Sequence, residues 1–499
     1  MTFVERWRFS RRCAPTDSAP VWRVVASTIS VIPAPLVRIR NETLETIAAR
    51  GIPVPNYNRS GLLPRMLHLG VGGFHRSHLA FYVHELAEAG SDWGIRGLGI
   101  LPGDLRMRDA LVPQDYLYTL VERGDGEPRP RVIGSIVDFV VAADDPEGFA
   151  AQIAEPSVEI LSLTITESGY SLESPNATIE AIVDGLDARR AAGGAPLTIL
   201  SCDNLPGNGT VACDAVMAVC EGRGDGLASW MEAACSFPNS VVDRITPQTT
   251  DSDRAWLRET RGIVDTRPVV AEPFRQWVLE DRFAAGRPRF EDAGALFTDD
   301  VRSWELYKLR MLNATHSCMA YLASLAGIVY VDEAMRVPQI RRFLERLLRE
   351  EAIPTLTEIP GHPREEYAET VLGRFENTGV RDQIARLCID GTAKLRTFLI
   401  PTVERQLELG GPVDHAALAL AAWARYLATT PAEARAPDAS ADGAVAHALS
   451  SLGDPVGFLG FTEVFPPSLR DDQRFRDAFA GAASSLATRG PIGAIQKLG

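Results

Sequence analysis

The residues whose types and spacing best fit chemistry lie between Glu305 and His316, where the sequence reads ELYKLRMLNATH. If this segment is a helix, Asn313 and His316 are neighbours on one face because they are three residues apart. Lys308 then lies about 80° around the axis from His316, at roughly 100° per residue. A pocket beside this helix could therefore contain an amine, an amide and an imidazole. Helical lysines are more often solvated, so the spacing alone leaves the catalytic and the structural interpretation open.

A second candidate is Asn204, in the segment SCDNLPGNG that begins at Ser201. It follows an apolar run, Pro196–Cys202, that predicts a strand. In an open α/β sheet, ligands bind at the carboxyl ends of the strands, which is where this segment would lie. A turn rich in Asn, Pro and Gly is an equally good interpretation of the same residues.

A third candidate is a glycine-rich turn after the predicted strand Met66–Leu69, where the sequence continues GVGGFHR. Such a turn brings backbone N–H groups close to a pyrophosphate. The pattern is G-x-G-x-x-H, with a histidine in place of the third glycine of the usual fingerprint. An ordinary strand–helix turn would look similar, but the position in the first β–α unit favours a dinucleotide. The candidate cofactor-binding residues in this turn are Gly70, Gly72, Gly73, Phe74, His75 and Arg76.

The next predicted strand ends near Leu101, and Asp104 follows it. An acid at this position would bind the ribose hydroxyls and so favour NAD. Asp104 lies further from the glycines than usual, and Arg106 and Arg108 could accept the 2′-phosphate of NADP. We therefore expect NAD and keep NADP as the alternative.

The chain offers few ligands for a metal ion. His75 and His78 form an H-x-x-H pair, but Arg76 lies between them and no third ligand is near in the sequence. The seven cysteines are scattered and form no C-x-x-C motif, which is typical of unpaired thiols in a reducing compartment. We expect no metal and a cytoplasmic protein.

The elements that must position these residues change type along the chain. From Met66 to about Phe274, apolar strand-like runs alternate with helical stretches, which predicts a parallel sheet covered on both faces. After Asp299 helical spacing dominates. The fold class predicted is α/β, with a Rossmann-like N-terminal domain at residues 41–297 and a mainly α-helical C-terminal domain at 298–499. The Arg-rich residues 1–40 are predicted to be a loosely ordered extension, with a transit peptide as the alternative.

Composition excludes two classes of partner. The formal net charge of −14 argues against a nucleic-acid or anionic membrane surface, because nothing would offset phosphate repulsion. The sequence contains no apolar run of about 18 residues, so we expect no membrane span.

Six segments, in this order and with this spacing, resemble motifs of the mannitol dehydrogenase family of polyol-specific long-chain dehydrogenases. They are GVGGFHR at 70–76, TITESGY at 164–170, SCDNLPGNG at 201–209, FPNSVVDR at 237–244, EPFRQW at 272–277 and KLRMLNATH at 308–316. The resemblance extends from about Val54 to the C-terminus.

The resemblance assigns roles to the candidate residues. It implies that Lys308 is the general acid/base, that Asn204 and Asn313 polarise the carbonyl, and that His316 orients the substrate oxygen. In oxidation, neutral Lys308 would take the hydroxyl proton while a hydride leaves the carbon. Since a free lysine has a pKa near 10.4, burial or a neighbouring positive charge should lower it.

The resemblance also implies that Asp243 and Arg386 bind the substrate and that Glu305 lies on a proton path beside the lysine. The implied reaction is the metal-independent, NAD(P)-dependent oxidation of a polyol such as D-mannitol to a ketose such as D-fructose, and the reverse, by a monomer. Fructuronate or tagaturonate reductase and arabinitol or sorbitol dehydrogenase of the same family are the alternatives. A dinucleotide sensor without turnover is disfavoured because the full catalytic set is present.

Overall fold

The central feature of the fold is a parallel sheet, seen in a computed structural model that describes residues 35–171, 176–224 and 226–499. The strands of these residues, in chain order, are β1 Val37–Arg38, β2 Leu63–Leu69, β3 Trp93–Gly99, β4 Tyr118–Glu122, β5 Arg129–Ile133, β6 Ile136–Val141, β7 Ile160–Leu163, β8 Leu197–Ser201, β9 Cys235–Ser236, β10 Ser240–Asp243, β11 Ile263–Val264, β12 Val269–Ala271, β13 Gln276–Leu279 and β14 Leu296–Phe297.

The main sheet has six strands in the order β6-β3-β2-β7-β8-β9, and every pair in it is parallel. The chain starts in the middle at β2, builds outward to β6, and then returns to β7 on the other side. This order is that of the doubly wound dinucleotide-binding fold, which binds its ligand where the winding reverses. Strands β7 and β8 are buried along their whole length, as expected for parallel strands covered on both faces. The predicted Rossmann-like parallel sheet is confirmed.

Three smaller sheets extend this half of the chain. Their strand orders are β12-β4-β5, β10-β13-β14 and β1-β11. Strands β10 and β12 matter for the site, because Asp243 is the last residue of β10 and Glu272 directly follows β12.

The last residues of the predicted N-terminal extension are part of the fold. Residues 1–34 lie outside the described residues, and so does most of the predicted segment. However, Val37 and Arg38 pair in parallel with Ile263 and Val264, and Ile39 is fully buried. The predicted end at residue 40 is therefore wrong, because backbone pairing and apolar burial tie residues 37–39 to the fold.

Helices cover the sheet and make up the rest of the chain. Among the described residues they are α1 Leu44–Ala48, α2 Gly73–Ser77, α3 Leu79–Glu88, α4 Pro102–Leu111, α5 Pro146–Ala154, α6 Ala177–Ala191, α7 Asn208–Arg223, α8 Leu227–Ala234, α9 Asp251–Arg261, α10 Val301–Tyr307, α11 Ala314–Leu325, α12 Val331–Met335, α13 Pro338–Arg346, α14 Arg364–Glu376, α15 Ile384–Leu387, α16 Gly391–Lys394, α17 Ile400–Leu409, α18 Asp414–Thr429, α19 Ala441–Ser450, α20 Pro467–Arg470 and α21 Gln473–Leu498. Helix α21 bends at Gly490, immediately before Pro491. None of the helices described is long and apolar enough to cross a membrane.

The architecture changes after β14. From Val301 onward the described residues form helices around a separate apolar core that includes Tyr321, Trp423 and Phe458. The mainly helical C-terminal region is confirmed, while the division into two domains at residue 297 stays a prediction.

Candidate active site

The segment from Lys308 to Asn313 is not α-helical as the sequence spacing predicts. It is a π-helical turn between α10 and α11. In an α-helix these two residues would lie about 140° apart, whereas the i→i+5 bonding of a π turn brings residues five apart towards one face. The irregular turn therefore points the amine and the amide in more similar directions than a regular helix would. Such turns occur frequently at functional sites.

The Lys308 amine contacts the nucleotide-binding half of the chain. Its Nζ donates to Oδ1 of Asn204, which follows β8, and to the backbone carbonyl of Val242 in β10, at 2.7 Å. In this geometry the Asn204 amide presents its oxygen to the amine, which suits the ammonium form of lysine because that form only donates hydrogen bonds. The NH₂ group of Asn204 is then available to a substrate oxygen.

The environment of Lys308 makes its amine easier to deprotonate than a free lysine. Burial lowers the pKa of Lys308 below its usual range, with Asp243 opposing this effect, Arg374 adding to it and Glu305 opposing it. An amine with a lowered pKa can act as a base closer to neutral pH.

Glu305 lies one turn before Lys308, on the same helix. Its side chain is 6% exposed. One carboxylate oxygen accepts a hydrogen bond from the backbone N–H of Gly207 at 2.7 Å, and the other pairs with Arg302 at 3.2 Å. Glu305, Lys308 and Asn204 line the same small pocket, as a proton path beside the lysine would require.

Asp243 is held by a residue that the sequence analysis missed. Both of its carboxylate oxygens accept hydrogen bonds from the Arg374 guanidinium, each at 2.7 Å. Burial alone would raise the pKa of Asp243, but Arg374 outweighs this effect and holds that pKa below its usual range. The carboxylate is therefore charged and fixed in place.

His316 lies near the Arg374–Asp243 pair and near a second pair, Arg386 and Asp382. Its ring stacks on Phe375, with the ring centroids 4.0 Å apart, and burial lowers the pKa of His316 to about 3. Its Nε2 is buried and finds no hydrogen-bond partner among the described residues. A neutral imidazole with an unmet nitrogen is suited to bind a hydroxyl group.

Arg386 belongs to the second pair. Its guanidinium binds Asp382 side-on, with Nε 2.6 Å from Oδ1 and Nη2 in contact with Oδ2. Both residues lie close enough for their charges to act on His316. The structure thus places Arg386 near His316 but gives it no direct contact with Lys308 or Asn204 within the described residues.

The glycine turn fits a closely approaching ligand. Gly70 has φ +96°, and a Cβ there would lie 2.1 Å from the backbone oxygen of Thr164, so no other residue fits. His75 and Arg76 are buried. The His75 ring stacks on His68, and the Arg76 guanidinium donates to the backbone carbonyl of Gly72 at 3.2 Å. These two side chains support the turn from the interior, so a cofactor would meet their backbone.

The remaining candidates occupy local roles. Phe74 stacks on His78, and His78 Nε2 donates to the backbone carbonyl of Gln276 at 3.0 Å. Asp104 lies beyond the carboxyl end of β3, as predicted, and its Oδ2 accepts the backbone N–H groups of Ile100 and Leu101, each at 2.9 Å. No cluster of three or more potential metal ligands occurs among the described residues.

Comparison with known proteins identifies the family. The Mannitol dehydrogenase Rossmann domain matches residues 64–292, and the Mannitol dehydrogenase C-terminal domain matches residues 300–487. The chain belongs to the mannitol dehydrogenase family. The predicted resemblance is therefore confirmed.

Individual members of the family cover nearly the whole chain. Mannitol dehydrogenase 2 of Saccharomyces cerevisiae is 39% identical over 475 residues, which are 90% of this chain and 95% of that protein. A mannitol 2-dehydrogenase of Pyrenophora tritici-repentis is 37% identical over 495 residues, covering 93% and 87%.

Two solved structures are similar to this mannitol dehydrogenase family member. The ternary complex of Pseudomonas fluorescens mannitol 2-dehydrogenase with NAD and D-mannitol has a TM-score of 0.83 at 35% identity, covering 93% of this chain and 99% of that one. A D-sorbitol dehydrogenase in substrate-free form has a TM-score of 0.82 at 33% identity, covering 92% and 100%.

Sequence reasoning missed two residues that organise the site of this family member. Arg374 lies in α14 with no motif around it, so no local signal pointed to it. Asp203 was interpreted only as part of a turn, yet its carboxylate accepts the backbone N–H groups of Ile165 and Thr166, each at 2.9 Å. It also accepts the Tyr170 hydroxyl at 2.6 Å. The signal that could have found Asp203 was its position beside Asn204 at the end of a strand.

Proposed function

We propose that this chain is an NAD-dependent oxidoreductase that interconverts a polyol and its ketose, with D-mannitol and D-fructose as the first candidates. Lys308 serves as general acid/base, and no metal takes part. The observation that carries the proposal is the contact of the Lys308 amine with Asn204 at the ligand-binding edge of the sheet. The names of the relatives and the NAD and D-mannitol bound to the Pseudomonas protein support it.

The residues at this edge fit NAD. The backbone N–H groups from Gly70 to Gly73 would hold the pyrophosphate, and Asp104 would lie beside the ribose. Arg108, a candidate for the 2′-phosphate of NADP, pairs instead with Asp109 and Asp144, which favours NAD. When bound, NAD supplies the acceptor for the hydride that leaves the carbinol carbon.

The side chains of the site handle the proton and the charge on oxygen. Neutral Lys308 accepts the hydroxyl proton, and Glu305 lies one turn away to pass it on. The NH₂ groups of Asn204 and Asn313 donate to the developing alkoxide. Such preorganised donors are worth roughly 10²–10³ in rate each. His316 orients the substrate through its unpartnered Nε2.

The charges of the site favour an uncharged substrate. A uronate carboxylate needs a cation that is not already neutralised. Arg386 is paired with Asp382, and Arg374 lies between Asp243 and Glu272. A neutral polyol can hydrogen-bond to such pairs without adding a charge, so we place fructuronate and tagaturonate behind the polyols. The sorbitol dehydrogenase neighbour keeps sorbitol among the candidates.

Initial rates followed by NADH absorbance test the proposal. The panel consists of D-mannitol, D-sorbitol and D-arabinitol for oxidation, and of D-fructose and D-fructuronate for reduction, each with both nicotinamide cofactors. We expect kcat/KM to be highest for the mannitol–fructose pair with NAD. A preference of at least about tenfold for fructuronate, about 1.4 kcal/mol, would reject the polyol assignment. NADH binding without turnover of any substrate would favour the sensor.

A further inference from the structure

A buried ionic group lies behind the Lys308 amine. Its cation is Arg374 of α14, whose side chain is 5% exposed and pairs with both Asp243 and Glu272. The guanidinium donates to both oxygens of Asp243 and to both oxygens of Glu272, at 3.1 and 2.7 Å. Its charged face also lies 4.0 Å from the centroid of the Phe274 ring. One arginine from the helical half thus pairs with two carboxylates of the nucleotide-binding half.

The backbone links this group to the amine. Lys308 Nζ donates to the carbonyl of Val242, and the next residue in the chain is Asp243. A carboxylate so close to an ammonium group would normally form an ion pair with it, which would stabilise the charged lysine. Within the described residues, the Asp243 carboxylate instead accepts hydrogen bonds from Arg374 and from the hydroxyl of Tyr367, the latter at 3.4 Å.

Helix α14 is built to hold this arrangement. Tyr367 and Arg374 are seven residues apart and so project from the same face of the helix. The next residue, Phe375, stacks on His316. Three side chains of one helix therefore contact Asp243 and His316, two residues that the family resemblance places at the substrate.

We propose that Arg374 is a positioning residue, which fixes the Asp243 carboxylate and prevents it from pairing with the Lys308 amine. This inference rests on the proposed role of Lys308 as general acid/base. It adds to that role a reason why the amine can lose its proton next to a buried carboxylate.

Four charged or titratable groups face the amine among the described residues. Asp243 on β10 and Glu305 on α10 favour the ammonium form, whereas the positive charge of Arg374 opposes it. His78, between α2 and α3, is also near, but burial lowers its pKa to about 3, so it is neutral. Removing the charge of Arg374 while keeping Asp243 would therefore raise the pKa of Lys308. Oxidation would then need a higher pH.

The test is the pH profile of kcat/KM for D-mannitol oxidation with NAD. The main variant is Arg374→Gln combined with Glu272→Gln, which removes one positive and one negative charge and leaves Asp243 in place. We expect the midpoint of its acid limb to rise by roughly one pH unit, the lower end of the effect of one neighbouring charge. At alkaline pH its rate should approach that of the unmodified enzyme.

Two matched variants identify the cause. Glu272→Gln alone keeps the Arg374–Asp243 pair, so its midpoint should not rise. Adding Asp243→Asn to the double variant removes the carboxylate, and the midpoint should fall back. A double variant that is slower at every pH with an unmoved midpoint would show that Arg374 is only structural, and would overturn the inference.

Folding is checked separately by circular dichroism and NADH fluorescence. If the double variant does not fold, Arg374→Lys replaces it. A lysine keeps the positive charge but cannot donate hydrogen bonds to both carboxylate oxygens of Asp243 as the planar guanidinium does. The midpoint should then rise by less, and an unmoved midpoint again overturns the inference. If Lys308→Ala leaves turnover unchanged, the proposed function fails. If Lys308→Ala abolishes turnover but the midpoint does not move in the double variant, only the role of Arg374 fails.

Discussion

Replacing Lys308 by alanine tests the proposed chemistry most directly. The change removes the proposed proton acceptor and also the two hydrogen bonds from Nζ to Asn204 and to the Val242 carbonyl. It leaves the glycine turn untouched, because that turn is formed by β2, β7 and their loops. We therefore expect a loss of turnover with cofactor binding nearly intact.

The roles proposed for Lys308 set the expected size of this loss of turnover. Positioned general acid–base catalysis contributes roughly 10²–10⁴-fold to the rate, and freeing the Asn204 amide adds to the loss of alkoxide stabilisation. We expect kcat for mannitol oxidation to fall within this range, about 3–5 kcal/mol at 1.36 kcal/mol per factor of ten. The alanine also leaves space for a small primary amine, so methylamine should restore part of the rate.

Stopped-flow NADH absorbance measures the rate, and NADH fluorescence titration measures binding. Lys497→Ala is the matched control, because Lys497 is exposed near the C-terminus and should be replaceable without effect. An unchanged kcat in Lys308→Ala would refute the assignment of the base. Weaker NADH binding in proportion to the lost rate would instead indicate that the lysine holds the two halves together.

Three further predictions follow from the same geometry. In the proposed mechanism oxidation needs neutral Lys308 and reduction needs its ammonium, so kcat/KM should rise with pH for mannitol and fall with pH for fructose, around a midpoint below the usual lysine pKa. Asn204→Ala should lower kcat by roughly 10²–10³ in stopped-flow assays, with NADH affinity unchanged. Gly70→Ala should abolish NADH binding in fluorescence titrations, since a Cβ would lie 2.1 Å from the Thr164 oxygen, whereas Gly51→Ala, also at positive φ but with no atom within 4 Å, should bind normally.

The fold could be predicted from the sequence because the hydrophobic periodicity of strands and helices depends only on neighbouring residues. Buried strands such as β7 and β8 and the helical spacing after Asp299 each report on a few neighbouring residues, and parallel strands bring their carboxyl ends to one edge. The contact of Lys308 with Asn204 followed from that edge together with the family motifs. The π turn was missed because residue spacing assumes a regular helix.

Long-range charge pairing could not be predicted in the same way. Arg374 meets Asp243 and Glu272 across more than 100 residues of sequence, at separations of 131 and 102. An arginine in an amphipathic helix looks the same whether it faces solvent or a buried carboxylate. The pairing of Arg386 with Asp382 was hidden for another reason, since an i,i+4 pair is usually a surface feature.

The backbone conformation of Thr166 marks the same edge of the sheet as the candidate site. Its φ of 64° and ψ of 169° lie in a region that is almost restricted to glycine and costs about 1–3 kcal/mol. The conformation persists because the Asp203 carboxylate accepts the Thr166 and Ile165 N–H groups. Since Asp203 precedes Asn204, the bonds that hold the strained loop also fix the amide facing Lys308. The strain in the loop after β7 is thus offset by hydrogen bonds to Asp203, and the same bonds help to position the Asn204 amide after β8. In this way the fold can keep the candidate site rigid.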